Sequence, residues 1–306
     1  MEKLKLIIAP FPHIRDSDTT QRIMFTVLAA LLPPVIAALY FYGWEAVRVL
    51  LLAAASAVVT EAAFQRIRRR PITIFDGSAL VTGLLMGLIL PANLPSWMVV
   101  LGSVVAIVFG KQVFGGLGNN PFNPALVGRA FLTTSFAVPM TTWIRPIDGI
   151  TAATPLEIGA NAVSTYELFF GNIPGSLGET SALAVLIGGI FLFYRGVLDF
   201  RMPLGFLATT AVMVTLFGQD PVFHLLAGSV LFAAVYMATD MVTTPVTPSG
   251  RWVFGIGAGF ILVIIRLWGS LPEGVTYALL LMNGATPLIN RWTQRRVFGR
   301  GVNTGA

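Results

Sequence analysis

Apolar runs recur ten times along the 306 residues, at 22–42, 46–65, 77–91, 97–114, 124–140, 180–194, 203–218, 222–239, 252–269 and 274–291. A helix crossing a bilayer core needs about 20 such residues, fewer where it is broken or re-entrant. Ten of them predict an all-α integral membrane protein with about ten transmembrane helices. The third run is short and glycine-rich (Gly77, Gly83, Gly87) and ends at Pro91, so it reads as a discontinuous or half-spanning helix. Only 11% of residues are charged and 55% are hydrophobic, where a soluble domain carries roughly a quarter charged residues. No stretch is long and polar enough for a separate soluble domain, so residues 1–306 are expected to form one polytopic membrane domain.

Charge gives the helices a direction. Lysine and arginine concentrate on the cytoplasmic side of a membrane protein. In the ten-helix reading, 17 of the 20 basic residues fall on one side: Lys3, Lys5, Arg15, Arg22, Arg66, Arg68, Arg69, Arg70, Lys111, Arg129, Arg195, Arg201, Arg251, Arg291, Arg295, Arg296 and Arg300. Arg48, Arg145 and Arg266 fall on the other, where Arg48 and Arg266 can snorkel from near helix ends. Both termini are therefore expected in the cytoplasm of a cell-membrane protein. The longest loop, about 139–180, is expected on the outer face as an ordered polar cap carrying Asp148, Glu157, Glu167 and Glu179. The net charge of +6 is thereby orientation chemistry and implies no nucleic-acid partner. The N-terminal apolar stretch is broken at Pro10, Pro12 and His13, too short for a signal-peptide core.

Cysteine is absent, which excludes disulfides, thiolate metal sites, iron–sulfur clusters and thiol catalysis. His13 and His224 lie far apart and do not make a paired haem site. Any electrons handled here require an organic cofactor.

Three polar segments interrupt the apolar background. Gly115-Gly-Leu-Gly-Asn-Asn-Pro-Phe-Asn-Pro124 cannot be helical throughout. It reads either as a turn with Asn123 as N-cap and Pro124 at the first helical position, or as irregular backbone lining a cofactor or ion site with Asn120 and Asn123. Asp240-Met-Val-Thr-Thr-Pro-Val-Thr-Pro-Ser-Gly-Arg251 offers a carboxylate and hydroxyl oxygens of the kind ions use, with Asp76 as its counterpart in the first half. Either aspartate could instead cap a helix. Asp148-Gly-Ile-Thr151-Ala-Ala-Thr154-Pro is, as chemistry alone, an exposed turn.

Weak internal similarity links Asn123-Pro-Ala-Leu-Val-Gly-Arg129 to Thr286-Pro-Leu-Ile-Asn-Arg291, and Asp76 to Asp240. Five helices per half would give inverted repeats, at about 22–140 and 180–291, with a cytoplasmic tail at 292–306; such repeats place binding sites near the midplane.

The segment at Asp148 resembles the recognition motif of flavin transferase, with Asp148, Thr151, Ala153 and the acceptor Thr154 matching and Ala152 replacing the usual glycine. Nearly end to end, the chain resembles the D subunits of Rnf complexes and, more distantly, the B subunits of sodium-pumping NADH:quinone reductases. The resemblance rests on Pro12-His13, Phe75-Asp76-Gly-Ser-Ala-Leu-Val-Thr-Gly83, Gly115 to Pro124, the flavin motif and Asp240 to Gly250. It implies FMN joined through its phosphate to Thr154, leaves open a riboflavin between helices, and implies a fold similar to urea and ammonium channels. It further implies a role beside the other Rnf subunits (A, B, C, E and G), coupling electron transfer between ferredoxin and NAD to translocation of sodium ions or protons. No catalytic residue and no resident metal is expected in this chain; Asp76 and Asp240 are candidates for ion coupling. The alternatives are a small-solute channel of the same architecture without a redox role, or a scaffold for partner subunits.

Overall fold

The computed structural model describes residues 18–159, 163–269 and 274–294; Lys3, Lys5, His13, Arg15, Arg295, Arg296, Arg300 and the terminal segments lie outside them. Among the described residues the architecture is helical throughout, joined by turns and two isolated β-bridges. In chain order the helices are α1 (Thr20–Tyr42), α2 (Trp44–Ile67), α3 (Ser78–Leu88), α4 (Ser96–Ile107), α5 (Pro124–Ser135), α6 (Ala137–Thr141), α7 (Pro155–Ile158), α8 (Thr165–Phe170), α9 (Ala182–Tyr194), α10 (Arg201–Leu216), α11 (Pro221–Leu226), α12 (Val230–Phe232), α13 (Pro248–Trp268) and α14 (Val275–Thr293). Every apolar run falls on helix. Three helices, α1, α2 and α13, are long and apolar enough to cross a membrane, while α3, α4, α9 and α10 are apolar but shorter. Large side chains such as Leu32, Ile36, Leu51, Val59, Ile190 and Val212 are exposed along the bundle, a surface that lipid solvates and water does not.

Two local departures from regular helix position the interior. Residues Val108–Gln112 continue α4 as a π turn, and Ala233–Met237 continue α12 in the same way; such turns re-aim side chains inward. The run 222–239, expected as one helix, is broken. Its chain leaves α11 at Ala227 and re-enters α12 at Val230, through Gly228 (φ +71°) and Ser229 (φ +60°). The carbonyls freed at the end of α11 accept from Arg266, whose guanidinium reaches His224 O (2.7 Å), Ala227 O (2.9 Å) and Gly228 O (3.1 Å). Arg266 thus caps a helix end rather than snorkelling to water.

The helices pack as two groups with matching neighbours. In one, α2 lies along α3 and α4, and α4 along α5; in the other, α10 lies along α13, and α13 along α14. The groups meet where α1 packs on α9 and α5 on α14. Small residues permit the close approaches: a Cβ on Gly83 of α3 would come within 2.7 Å of Ala54 Cα, and one on Gly259 of α13 within 2.7 Å of Phe206 O. Without a hydrophobic force between helices in lipid, such backbone proximity is the main source of association. Across the groups, Pro34 in α1 lacks the N–H that would bond Ala30 O. Tyr236 Oη donates to that carbonyl instead, at 2.7 Å.

Candidate functional site

The π turn after α4 carries Lys111 into the interior, where it is 1% exposed. Its Nζ donates to Glu61 Oε2 of α2 at 2.7 Å and to Ser78 Oγ of α3 at 2.6 Å. Asp76 completes the chain by accepting from Ser78 N (2.8 Å) and Ser78 Oγ (2.6 Å). From the position before the N-cap Gly77, Asp76 thus satisfies the first N–H of α3, as the capping reading of its position expects. Lys111 is no cytoplasmic anchor. Glu61 escapes the sequence reading, although a lone acid in an apolar helix is itself a functional signal.

Opposite Lys111, the second half presents Asp240. Its Oδ1 accepts from Val242 N at 3.2 Å, and its Oδ2 from Thr243 Oγ1 at 3.1 Å and Asn123 Nδ2 at 3.4 Å. Asn123 is at once the N-cap of α5, its Oδ1 accepting from Ala125 N at 3.1 Å, and a strut to α14, its N–H donating to Asn283 Oδ1 at 3.2 Å. Two segments 117 residues apart in sequence, each singled out for its polarity, thus meet. Asp76 and Asp240 are not equivalent, however. Asp76 precedes its helix and Asp240 follows its own, whereas a rotation relating two repeats preserves chain direction.

Between these groups lies a cavity of about 100 Å³ whose walls are mainly apolar, including Met24, Val27, Leu85 and Leu192, with Lys111, Asn120, Asn123 and Asp240 among its polar lining. Asn120 is 4% exposed, and its Oδ1 has no hydrogen-bond partner. A buried acceptor without a donor marks a place for a ligand or water.

A second site forms around the long loop, at the opposite end of α2 from Arg66–Arg70. Residues 143–152 make a small hairpin: Ile144 and Thr151 form a bridge, and Ala152 N donates to Trp143 O at 3.0 Å. Asp148 and Gly149 form its tip, and Asp148 through Thr151 and Ala153 are exposed. Thr154, by contrast, is 5% exposed; its side chain faces the Glu157 N–H in a capping box ahead of α7, but no group comes within full hydrogen-bond geometry of its Oγ1. Pro155 opens α7 directly after it, while Thr154 N donates to Glu157 Oε2 at 3.0 Å. Thr154 faces a cavity of about 40 Å³ bordered by Arg129, Thr133, Trp143 and Tyr277. Arg129, assigned by sequence to the cytoplasmic side, is 4% exposed and points into this site instead. On its other side Thr154 borders a smaller space with Leu156, Ile173, Glu179 and Gly228.

A titratable lock on the far end joins the loop before α10 to α13. Asp199 accepts from Arg201 N–H (2.9 Å), Arg201 Nη1 (2.8 Å) and the Arg251 guanidinium. Partial burial works against its charge, but these hydrogen bonds and the two positive charges hold Asp199 below the ordinary carboxylate range.

The sequence profile of the NQR2, RnfD, RnfE family matches residues 7–299. The chain is 45% identical over 308 residues to the D subunit of the Na(+)-translocating ferredoxin:NAD(+) oxidoreductase complex of Acetobacterium woodii, covering 98% of this chain and 97% of that one. It is 40% identical to the D subunit of the proton-translocating ferredoxin:NAD(+) oxidoreductase complex of Clostridium ljungdahlii, covering 95% and 96%. To the D subunit of the ion-translocating oxidoreductase complex of Stutzerimonas stutzeri it is 39% identical, covering 93% and 94%. Profile and relatives together span the helices, the central cavity and the Thr154 loop, and the chain belongs to the NQR2, RnfD, RnfE family.

Proposed function

We propose that this chain is the flavin-bearing D subunit of an Rnf-type complex, coupling electron transfer between ferredoxin and NAD to translocation of sodium ions or protons. Its near full-length similarity to subunits so named supports the complex and its chemistry. The ten helical runs, and the matching neighbours in the two packed groups, favour two inverted five-helix repeats in a single membrane domain. On this reading the Arg66–Arg70 end lies in the cytoplasm and the Thr154 loop on the outer face.

One observation carries the flavin assignment. The Thr154 oxygen is buried and unpartnered beside Arg129, while the rest of the motif stands exposed on the hairpin. A hydroxyl that becomes a phosphoester loses its need for a hydrogen-bond acceptor, and a guanidinium is the natural counter-charge for phosphate. The fit is to the phosphate: a space of about 40 Å³ holds a few water-sized bodies, so the isoalloxazine ring must lie beyond it. When bound, FMN supplies the redox chemistry, which no side chain here provides. The residues hold and orient it: Thr154 as tether, Pro155 and Glu157 fixing the tether's backbone, Arg129 balancing the phosphate. Asp148, Thr151 and Ala153 serve the transferase and not the finished cofactor. Because Thr154 is buried once the loop has packed, attachment precedes that packing.

The central cavity, at about 100 Å³, is smaller than the roughly 300 Å³ that a flavin-sized ligand needs, so a second flavin, riboflavin, requires its walls to move apart before the imide N–H can meet Asn120 Oδ1, with Asn123 on the same wall. Asp240, without a cationic partner among the described residues, is the ion-coupling candidate, and Asp76 becomes a helix cap.

Co-expression with flavin transferase tests the assignment. In-gel fluorescence at the subunit's mass, and a loop peptide heavier by FMN at Thr154, are the expected results, and Thr154→Ala abolishes both. An unmodified wild-type loop together with solute flux through the isolated subunit sinks the redox reading in favour of a channel. Full complex activity in Thr154→Ala would favour a scaffold.

A further inference from the structure

The outer surface of α2 is apolar until it ends in arginines. Leu51, Ala55, Val59, Ala63 and Ile67 are all exposed, and at a spacing of four they form one ridge along the helix. The ridge carries no polar side chain, so hydrocarbon is its solvent. Trp44, 74% exposed, opens the helix, and the 24 residues from there to Ile67 rise about 36 Å, somewhat more than a hydrocarbon core of about 30 Å. Arg66, Arg68, Arg69 and Arg70, all exposed, therefore stand at the depth of the phosphate headgroups.

A built turn presents them. Arg69 N donates to Arg66 O at 3.1 Å and Arg70 N to Gln65 O at 2.9 Å, the double closure of a Schellman motif. Buried Gln65 pins the chain beyond: its Oε1 accepts from Thr73 N at 2.9 Å and its Nε2 donates to Thr73 Oγ1 at 2.8 Å. Within this motif Arg69 takes the left-handed position, at φ +51°, where glycine is the usual residue. The gathering of basic residues at one end of membrane helices accounts for the number of arginines, but not for one held in that conformation. Backbone strain kept at a surface residue points to a use for its side chain.

No carboxylate lies within 4 Å of any of the four among the described residues. Arg70 is already engaged: its Nη1 donates to Gly115 O at 3.2 Å, tying the turn to the segment that leads to Asn120. Arg68 keeps its Cζ 5.8 Å from the centre of the Phe64 ring, a contact with the ring face. Apolar side chains stand among the charges, with Ile67 80%, Phe75 79% and Ile72 47% exposed. An acidic protein would answer the guanidiniums and leave the apolar ridge uncovered. A phospholipid covers both, its phosphate on the guanidiniums and its chains along the ridge.

We propose that Arg66, Arg68 and Arg69 seat the headgroup of one anionic phospholipid, of the phosphatidylglycerol class, from the leaflet at this end of the bundle. A zwitterionic headgroup brings its own ammonium to compete with the arginines, so net negative charge is selected. The site rests on the membrane placement of the bundle and stands without the flavin assignment.

The test uses the purified whole complex in phosphatidylcholine nanodiscs doped with phosphatidylglycerol that carries a diazirine on its acyl chain. After irradiation, α2 peptides are read by mass spectrometry. The expected result is a lipid adduct between residues 51 and 67 that unlabelled phosphatidylglycerol displaces, and that added phosphatidylcholine or millimolar inorganic phosphate does not. Arg69→Gly should lower the adduct yield about fivefold, the loss expected for one surface guanidinium. Because it relieves the left-handed strain, the same variant should melt in detergent no earlier than the wild type, which separates lost lipid from lost fold. Joint replacement by Arg66→Gln, Arg68→Gln and Arg69→Gln should lower the yield about a hundredfold if the three act independently. An adduct that phosphatidylcholine displaces equally, or one unchanged in both variants, overturns the proposal. Displacement by inorganic phosphate overturns it in favour of a free-anion site. Absence of the adduct from the wild type, with residues 66–70 protected from hydrogen exchange by a neighbouring subunit, overturns it in favour of a protein contact.

Discussion

The two halves of the chain line the central cavity with opposite electrostatic solutions. The first buries a complete ion pair, Glu61 with Lys111, extended through Ser78 to Asp76. The second presents Asp240 to an amide, a hydroxyl and a backbone N–H, all neutral. A closed pair has no charge left to offer a mobile ion. Asp240 has no cationic partner among the described residues, and on the reading proposed above the first cluster is structural and the second exchangeable.

The comparison breaks most readily at Lys111. Lys111→Met leaves Glu61 buried and unpaired, which should cost about 3–5 kcal/mol, read as loss of folded protein by size-exclusion fluorescence in detergent. The double variant Lys111→Met with Glu61→Gln should recover much of the yield. If the single variant is as stable as the wild type, the first cluster is not a closed pair. Asp240→Asn should do the reverse, sparing assembly and flavin fluorescence while suppressing ion uptake driven by electron transfer in vesicles. Asp76→Asn, which keeps the accepting oxygen, should leave uptake intact, while Asp76→Ala should lower stability by about 1 kcal/mol, the value of a helix cap; an uptake defect in Asp76→Asn equal to that of Asp240→Asn would merge the two clusters. Tyr236→Phe strands Ala30 O and should cost about 1–3 kcal/mol in thermal melts of the solubilised protein, without changing uptake. The smallest effect lies outside both clusters. Asp199 titrates below its unfolded value, so its stabilisation is present above about pH 4, the ordinary carboxylate value, and is lost as pH falls through the lower folded value. Melts of Asp199→Asn and wild type should therefore differ at pH 7 and converge in strong acid; a constant gap removes the Asp199 lock.

The helices were legible because an apolar run of sufficient length leaves the backbone one way to satisfy itself. The Asn123 cap and Pro124 start were legible for the same local reason. The break at Gly228–Ser229 was not, since it contains no proline and its left-handed residues depend on Arg266 and Glu179 arriving from elsewhere. Charge counting treated Lys111 and Arg129 as residues reaching water, whereas both turn inward, because a count along the chain cannot tell the two apart. The junction of Asn123 with Asp240 exists only in the fold, although each segment announced itself by polarity. The burial of Thr154 beneath an exposed motif was equally hidden, as a motif lists residue types and not their depth.

Pro34 also imposes a schedule on the birth of the protein. The hydroxyl that satisfies Ala30 O sits 206 residues later in the chain, and at roughly 5–20 residues per second a ribosome needs on the order of ten to forty seconds to deliver it. During that interval Ala30 O, like Ala29 O opposite Pro33, lacks the N–H it would accept from, a cost in hydrocarbon that α1 bears at Ala30 until Tyr236 is made. The first helix to be made is among the last to be finished, and a chain truncated before Tyr236 should be handed to quality control with α1 still unsettled.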